Sequence, residues 1–393
     1  MRIYLDNAAT TPLSIDVFKA MEPYFFENFG NPSSTHYHGR QAKSALEESR
    51  STIADLLNTD PDHIIFTSGG TEADNTAILS TIRNQRIKLA ITTPFEHHAV
   101  LNTLKTLERD GEIRLVYLEH DQLGNLSIDH LKRVLATSQK ALVSVMHGNN
   151  EIGNLNDINE IGEVCRKYGA VFHSDTVQTM GQYIYDTKTL NADFLVGSAH
   201  KFHGPKGVGF LYKKSLDLVR PLINGGSQER AQRSGTENIT GIVGLAKALE
   251  LAYENRDNYQ SHIKSLKQRM IDRLTAKIPA IRFNGNSANP DLSLSTILSV
   301  SVPEPVNGIS PLIYLDQHQI CASGGSACSS RSTTGSHVLS ALGNDFERST
   351  IRFSFSRYNT NDEIDYVSEK LAHLFRQDNP VFNPALDDIN KYA

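Results

Sequence analysis

From about residue 50 to about residue 215, short apolar runs take turns with amphipathic stretches, and no other feature of this chain limits its fold as tightly. The apolar runs fall at 63–67, 89–93, 115–118, 141–146, 170–173, 194–198 and 208–212. Each is too short for a helix and is bounded by turn-forming residues, so each reads as a buried strand. The stretches at 42–57, 71–84, 98–108, 128–137 and 157–168 read as helices. Alternation of this kind means crossover helices over a mostly parallel sheet, with functional groups gathered at the carboxyl ends of the strands. The expected class is therefore α/β: a large, mostly parallel sheet domain with a smaller α+β domain.

After Arg233-Ser-Gly-Thr-Glu-Asn238 a long helical pattern runs to about Leu274 and weakens near 255–258. Beyond it, strands are expected near 281–284, 295–302, 319–323 and 350–356, followed by a helix at 362–376. The domains are expected at 15–255 for the large one and at 256–393, with 1–14, for the small one. Apolar residues at 39% and charged residues at 21% suit a globular chain rather than a disordered one. A net charge of −5 leaves no electrostatic footprint for nucleic acid or an anionic membrane. No apolar run approaches the roughly 18 residues of a membrane span. The start, Met1-Arg-Ile-Tyr-Leu-Asp-Asn7, turns polar too soon for an export signal. Three cysteines, Cys165, Cys321 and Cys328, are an odd, sparse set that points to free thiols in a reducing cytoplasm.

Chemistry concentrates where the strands end. Ser198-Ala-His-Lys201-Phe-His-Gly-Pro-Lys-Gly207 directly follows an apolar run. A lysine buried there is costly unless neutral, paired or modified, and desolvation suits its amine to Schiff-base chemistry; a solvated surface lysine is the alternative. Ala170-Val-Phe-His-Ser-Asp175-Thr-Val-Gln178 ends another strand with an acid that either caps a turn or keeps a pyridine nitrogen protonated. In Phe66-Thr-Ser-Gly-Gly-Thr-Glu-Ala-Asp-Asn75 the glycines and a helix opening near Thr71 suit a phosphate. The segment has neither the spacing nor the lysine of a Walker loop. His97 and His98 follow a further strand, where a satisfied polar role competes with a catalytic one. Cys328 lies in Cys321-Ala-Ser-Gly-Gly-Ser-Ala-Cys328-Ser-Ser-Arg331, whose small residues suit a mobile nucleophile. Cys165 and Cys321 read as structural, and Cys321 with Cys328 has the wrong spacing for a zinc knuckle.

With these residues in view, the sequence resembles the cysteine desulfurases, pyridoxal-phosphate enzymes of the aspartate-aminotransferase fold in the class V aminotransferase family. The resemblance runs from Tyr4-Leu-Asp-Asn-Ala-Ala-Thr-Thr-Pro12 and Gly30-Asn-Pro-Ser-Ser34 to Met146-His-Gly-Asn-Asn-Glu151 and Gly225-Gly-Ser-Gln-Glu229. It closes with Arg233-Ser-Gly-Thr236, Gly325-Ser-Ala-Cys328 and Ile351-Arg-Phe-Ser354. The Gly-Ser-Ala-Cys loop looks like that of the long-loop, housekeeping and nitrogen-fixation group.

The resemblance implies pyridoxal 5'-phosphate as cofactor and a role for each matching residue. Lys201 would carry the cofactor and move the substrate's Cα proton. Asp175 would pair with the ring nitrogen, His97 would stack on the ring, and Asn150 and Gln178 would meet its phenolic oxygen. Gly70, Thr71, Ser198 and His200 would hold the phosphate, joined by Thr236 from a second subunit, which implies a homodimer. Arg352 would bind the substrate carboxylate, with Asn31 a further contact. Cys328 would take sulfur from L-cysteine as a persulfide, release alanine, and pass the sulfur to an acceptor protein. Such an acceptor would serve iron–sulfur cluster assembly or thio-modification. Gly70 and Ser227 stand where alanine and glycine are frequent, changes expected to leave phosphate binding intact. Arg331 adds a charge beside the sulfur-carrying loop, and the C-terminal tail lacks a clear scaffold-docking match. Selenocysteine lyases, other lyases and aminotransferases share the fold and are the alternatives, with a non-catalytic relative that binds a sulfur carrier behind them.

Overall fold

The computed structural model describes residues 2–138, 140–305, 308–324, 335–343 and 348–375. The chain divides into two compact units, the larger formed by 8–150 and 154–260, the smaller by 1–7, 151–153 and 261–393. The first strand, β1 (Ile3–Tyr4), belongs to the smaller unit.

The larger unit is built on β2 (Ile64–Thr67), β3 (Leu89–Thr92), β4 (Arg114–Tyr117), β5 (Leu142–Ser144), β6 (Val171–Ser174), β7 (Phe194–Ser198) and β8 (Gly209–Lys213). All seven runs expected from the sequence lie in this one sheet, in the order β2-β8-β7-β6-β5-β3-β4. β8 is antiparallel to both neighbours and every other pairing is parallel. Both faces are covered, which explains why β2, β3, β6 and β7 are buried along their whole length. Ile64, Phe66, Phe172 and Leu195 enter one apolar layer, while the alternating Ile65, Val171, Phe194 and Val196 enter the other. β4, at one sheet edge, exposes Arg114 and Tyr117 at its ends and buries Leu115.

The crossover helices carry their own stop signals. Asp157 accepts from the amides of Asn159 and Glu160, both at 3.0 Å, to start the helix Ile158–Tyr168. Gly169 ends it at φ 68°, where a side chain would be strained. The long helical pattern resolves into Ile239–Glu254 and Arg256–Lys277, which meet at Asn255 inside the stretch where the periodicity weakens.

The smaller unit pairs β10 (Ile297–Pro303) antiparallel with β12 (Arg348–Ser354) and with β9 (Arg282–Phe283). β11 (Ile320–Cys321) runs parallel to β1, placing Ile3 opposite Ile320 and Tyr4 opposite Cys321. The helix Asn361–Leu374 opens with a reciprocal cap between Thr360 and Glu363. Two further helices, Pro311–Gln317 and His337–Ala341, were not expected from the sequence. Among the described residues no helix is long and apolar enough to cross a membrane.

Candidate active site

In the larger unit the carboxyl ends of β2, β3, β5, β6 and β7 point to one edge of the sheet, and most of the singled-out residues follow them. β7 runs into the turn Ala199–Lys201. The Lys201 Nζ donates to the carbonyls of Ala8 at 2.5 Å and Ala9 at 2.9 Å. The Gln178 amide donates to the same Ala8 carbonyl at 3.0 Å. The extended segment around Ala8 is stitched along this turn: the Thr11 amide donates to the His200 carbonyl at 2.9 Å, and Thr10 Oγ1 lies 3.2 Å from His200 Nδ1. Burial, then the charges of Lys201 and Lys206, hold the His200 pKa down to about 4, so the ring is neutral near pH 7.

Asp175, one residue past β6, is buried and accepts from the Val177 amide at 2.9 Å. Burial raises its pKa, while His97, the Val177 amide and Lys201 act in the opposite sense. His97 caps the helix His98–Arg109, its Nδ1 accepting from the Ala99 amide at 3.2 Å. Two further buried carboxyls stand close enough to interact with Asp175. Glu96 accepts from the Met146 amide at 2.9 Å and from Thr93 at 3.0 Å, and burial pushes its pKa up to about 8. Asp74 lies 3.2 Å from His173 Nε2, and burial raises its pKa well above the carboxylate range. Neither acid stands out in the sequence; the only signals are Glu96 directly before His97 and Asp74 one turn into the helix that Gly70 opens.

That helix, Gly70–Gln85, follows β2 with its first amides unpaired within the helix. Ser68, Gly69, Thr71, Ser198 and Lys206 line a cavity of about 400 Å³ at this end. A Cβ on Gly70 would meet Val177 Cγ2 at 2.7 Å, so alanine here requires Val177 to turn. Asn150 is half-buried. Asn31 and Thr236 are exposed, Asn31 accepting from the Ser33 amide at 2.9 Å.

In the smaller unit Arg352, on β12, is buried and donates to Asp6 at 2.8 Å. Ser323 donates to the same Asp6 oxygen at 2.7 Å and pairs with Arg352 through both backbone bonds. Cys328, Arg331 and the tail 376–393 lie outside the described residues. Cys165 is buried in its helix, where its thiol pKa is raised, and Cys321 is half-buried on β11.

The larger unit fits pyridoxal phosphate on its own terms. It offers an amine at a strand end, a buried carboxyl suited to a protonated ring nitrogen, and a cavity of about 400 Å³ at a helix start where glycine keeps the backbone open. An open sheet of this order with such groups at its strand ends has the architecture of fold-type I pyridoxal-phosphate enzymes. The model of one family, aminotransferase class-V, matches residues 3–367, and the chain belongs to that family. A cysteine desulfurase IscS from Clostridium botulinum is 41% identical over 387 residues, covering 96% of this chain and 95% of the relative. A solved NifS-like protein superposes with a TM-score of 0.86 at 34% identity, covering 95% of this chain and 99% of the other. A structure of SspA in complex with cysteine gives 0.77 at 32% identity, with 92% and 100% covered.

Proposed function

We propose that this chain is a pyridoxal-phosphate-dependent cysteine desulfurase, which takes the sulfur of L-cysteine onto Cys328 and releases L-alanine. The observation that carries the reading is the placing of Lys201 and Asp175 after adjacent strands, the amine held by two carbonyls and the acid buried. The cofactor, when bound, supplies an electron sink conjugated to the substrate's Cα. Lys201 carries it and serves as the base that moves the Cα proton. Asp175 would hold a proton on the ring nitrogen, His97 would stack on the ring, and Asn150 and Gln178 would meet its phenolic oxygen. Gly70, Thr71, Ser198 and neutral His200 hold the phosphate, with Thr236 supplied by a second copy of the chain. Arg352 binds the carboxylate of L-cysteine, where the guanidinium fork matches two oxygens, and Asn31 adds a contact.

Cys328 acts as a thiolate, the competent form of a sulfur nucleophile. It bonds to the substrate sulfur, the substrate's C–S bond breaks with its electron pair going to carbon, and protonation of that carbon skeleton gives alanine. One sulfur atom remains on Cys328 as a persulfide and passes to an acceptor protein for iron–sulfur cluster assembly or thio-modification. The working form is a cytoplasmic homodimer. What favours a second copy is a run of aromatic side chains left exposed in one subunit, including Phe25, Phe26, Phe29 and Tyr37.

The test is to add L-cysteine to the purified holoenzyme and follow its visible absorbance, alanine release and the mass of the Cys328 peptide. A spectral shift with alanine and one added sulfur on Cys328 is expected. Cys328→Ser should keep the cofactor absorbance and form no persulfide; full-rate sulfur transfer by that variant would refute the nucleophile.

A further inference from the structure

The cavity at the start of the helix Gly70–Gln85 is lined by an acid as well as by anion-binding groups. Glu72 sits on it, beside Thr71, in the first turn of that helix. Its carboxylate already accepts from the Ser68 amide at 2.8 Å. A carboxylate there would repel the phosphate that the proposed function brings to the same amides, since like charges that close disfavour each other. The fold answers with Arg233. Its Nε donates to Glu72 Oε1 at 2.9 Å and its Nη2 to Oε2 at 3.3 Å, a two-pronged pair whose carboxylate is only 9% exposed. Arg233 keeps the Glu72 pKa below its ordinary value against the opposing effect of burial.

Arg233 is itself fixed from outside the cavity. It belongs to the segment that follows Glu229, whose buried carboxylate is gripped by Arg50 at 2.8 Å on each oxygen and accepts from the Phe66 amide at 2.9 Å. Glu229, Arg230 and Ala231 all have left-handed backbone, with φ of 45°, 55° and 60°. Three consecutive residues with side chains hold that conformation only where their surroundings impose it. The segment is therefore pinned at both ends of the connection from β2 to the helix, at Phe66 before it and at Glu72 within it.

We infer that Arg233 is a positioning residue for the cofactor phosphate: it cancels the charge of Glu72 and holds that carboxylate on the Ser68 amide. This rests on the proposed reading of Gly70, Thr71, Ser198 and His200 as the phosphate cradle. The acid that lines the site and the base behind it thus tune its affinity.

The test is to strip the cofactor from the full-length protein and titrate it with pyridoxal phosphate and, separately, with pyridoxal. Arg233→Gln should weaken pyridoxal phosphate by about tenfold or more and leave pyridoxal unchanged, because the uncompensated charge acts on the phosphate alone. Adding Glu72→Gln, which keeps an acceptor for the Ser68 amide, should restore the affinity to within about threefold. Because the double variant buries no unpaired charge, it remains informative if Arg233→Gln folds poorly. Equal losses for both ligands, or no restoration in the double variant, would overturn the inference. Thr71→Ala separates the two levels. If it leaves pyridoxal phosphate affinity unchanged, the cradle reading fails. If it weakens that affinity while Arg233→Gln does not, only the role of Arg233 falls.

Discussion

Asp175 shares its buried surroundings with Glu96 and Asp74, and three carboxyls cannot all ionise there. The positive groups His97 and Lys201 act on Asp175 to favour its charged form, whereas the charge of Asp175 adds to burial in raising Glu96 against the hydrogen bonds from the Met146 amide and Thr93. Asp175→Asn should therefore lower turnover by roughly 10²–10³-fold, the scale for losing one charged group aimed at the reacting system, with Cys328 alkylation unaffected. Stopped-flow turnover beside thiol labelling measures both. Glu96 makes the opposite kind of prediction. Its folded pKa of about 8 lies above the unfolded value of 4.5, so its contribution is complete below pH 4.5 and is lost as pH rises through 8. Glu96→Gln, which keeps an acceptor for the Met146 amide, should flatten the fall in stability between pH 5 and pH 8 by up to about 1.4 kcal/mol per pH unit. Urea midpoints across that range would show it, and a variant with the wild-type slope would place the alkaline loss elsewhere. Lys201 and Asp175 could be singled out because each follows an apolar run. Glu96, Asp74 and His173 could not, because an acid or histidine in a sequence reads as surface until the sheet closes over it.

Among the elements, legibility followed the amount of surface each strand buries. β2, β3, β6 and β7 are covered on both faces and buried along their length, and each opens on apolar residues that leave little choice of state, although β6 closes with His173 and Ser174. β1 has two residues and pairs with a strand 317 positions away, so no periodicity marks it, whereas β11 falls inside the run expected at 319–323. The left-handed run at Glu229, Arg230 and Ala231 contains no glycine, and its cause is a partner on the distant helix Tyr37–Leu56. That partner, Arg50, also donates to the Ile64 carbonyl at 2.9 Å and lies 4.8 Å from the centre of the Phe66 ring. Removing it strands the buried Glu229 carboxylate. Arg50→Met should thus cost about 3–5 kcal/mol, far more than its lost packing. Chemical denaturation would measure this, and a cost below about 1 kcal/mol would mean that water reaches Glu229 in the variant.

For the whole molecule, the proposed cofactor site is complete only with Thr236 from a second copy, so assembly and cofactor retention should rise and fall together. One subunit exposes Phe26 at 77% and Phe29 at 65%, with Phe29 stacked on His38 at 5.1 Å and Tyr37 edge-on to the same ring at 5.4 Å. Large side chains left in water at this density are expected where another surface covers them. Phe26→Asp puts a charge into that surface without touching the residues at the strand ends. Sedimentation velocity should show the wild-type protein as a dimer and the variant shifted to monomer at micromolar concentration. The monomer should also release pyridoxal phosphate faster on dilution, because the contact from Thr236 is gone. A matching comparison with Thr236→Ala divides the causes. If that variant stays dimeric yet loses cofactor at the same raised rate, the second copy matters through this one hydroxyl. If Phe26→Asp remains a dimer, the aromatic surface is not the interface and the two copies meet elsewhere.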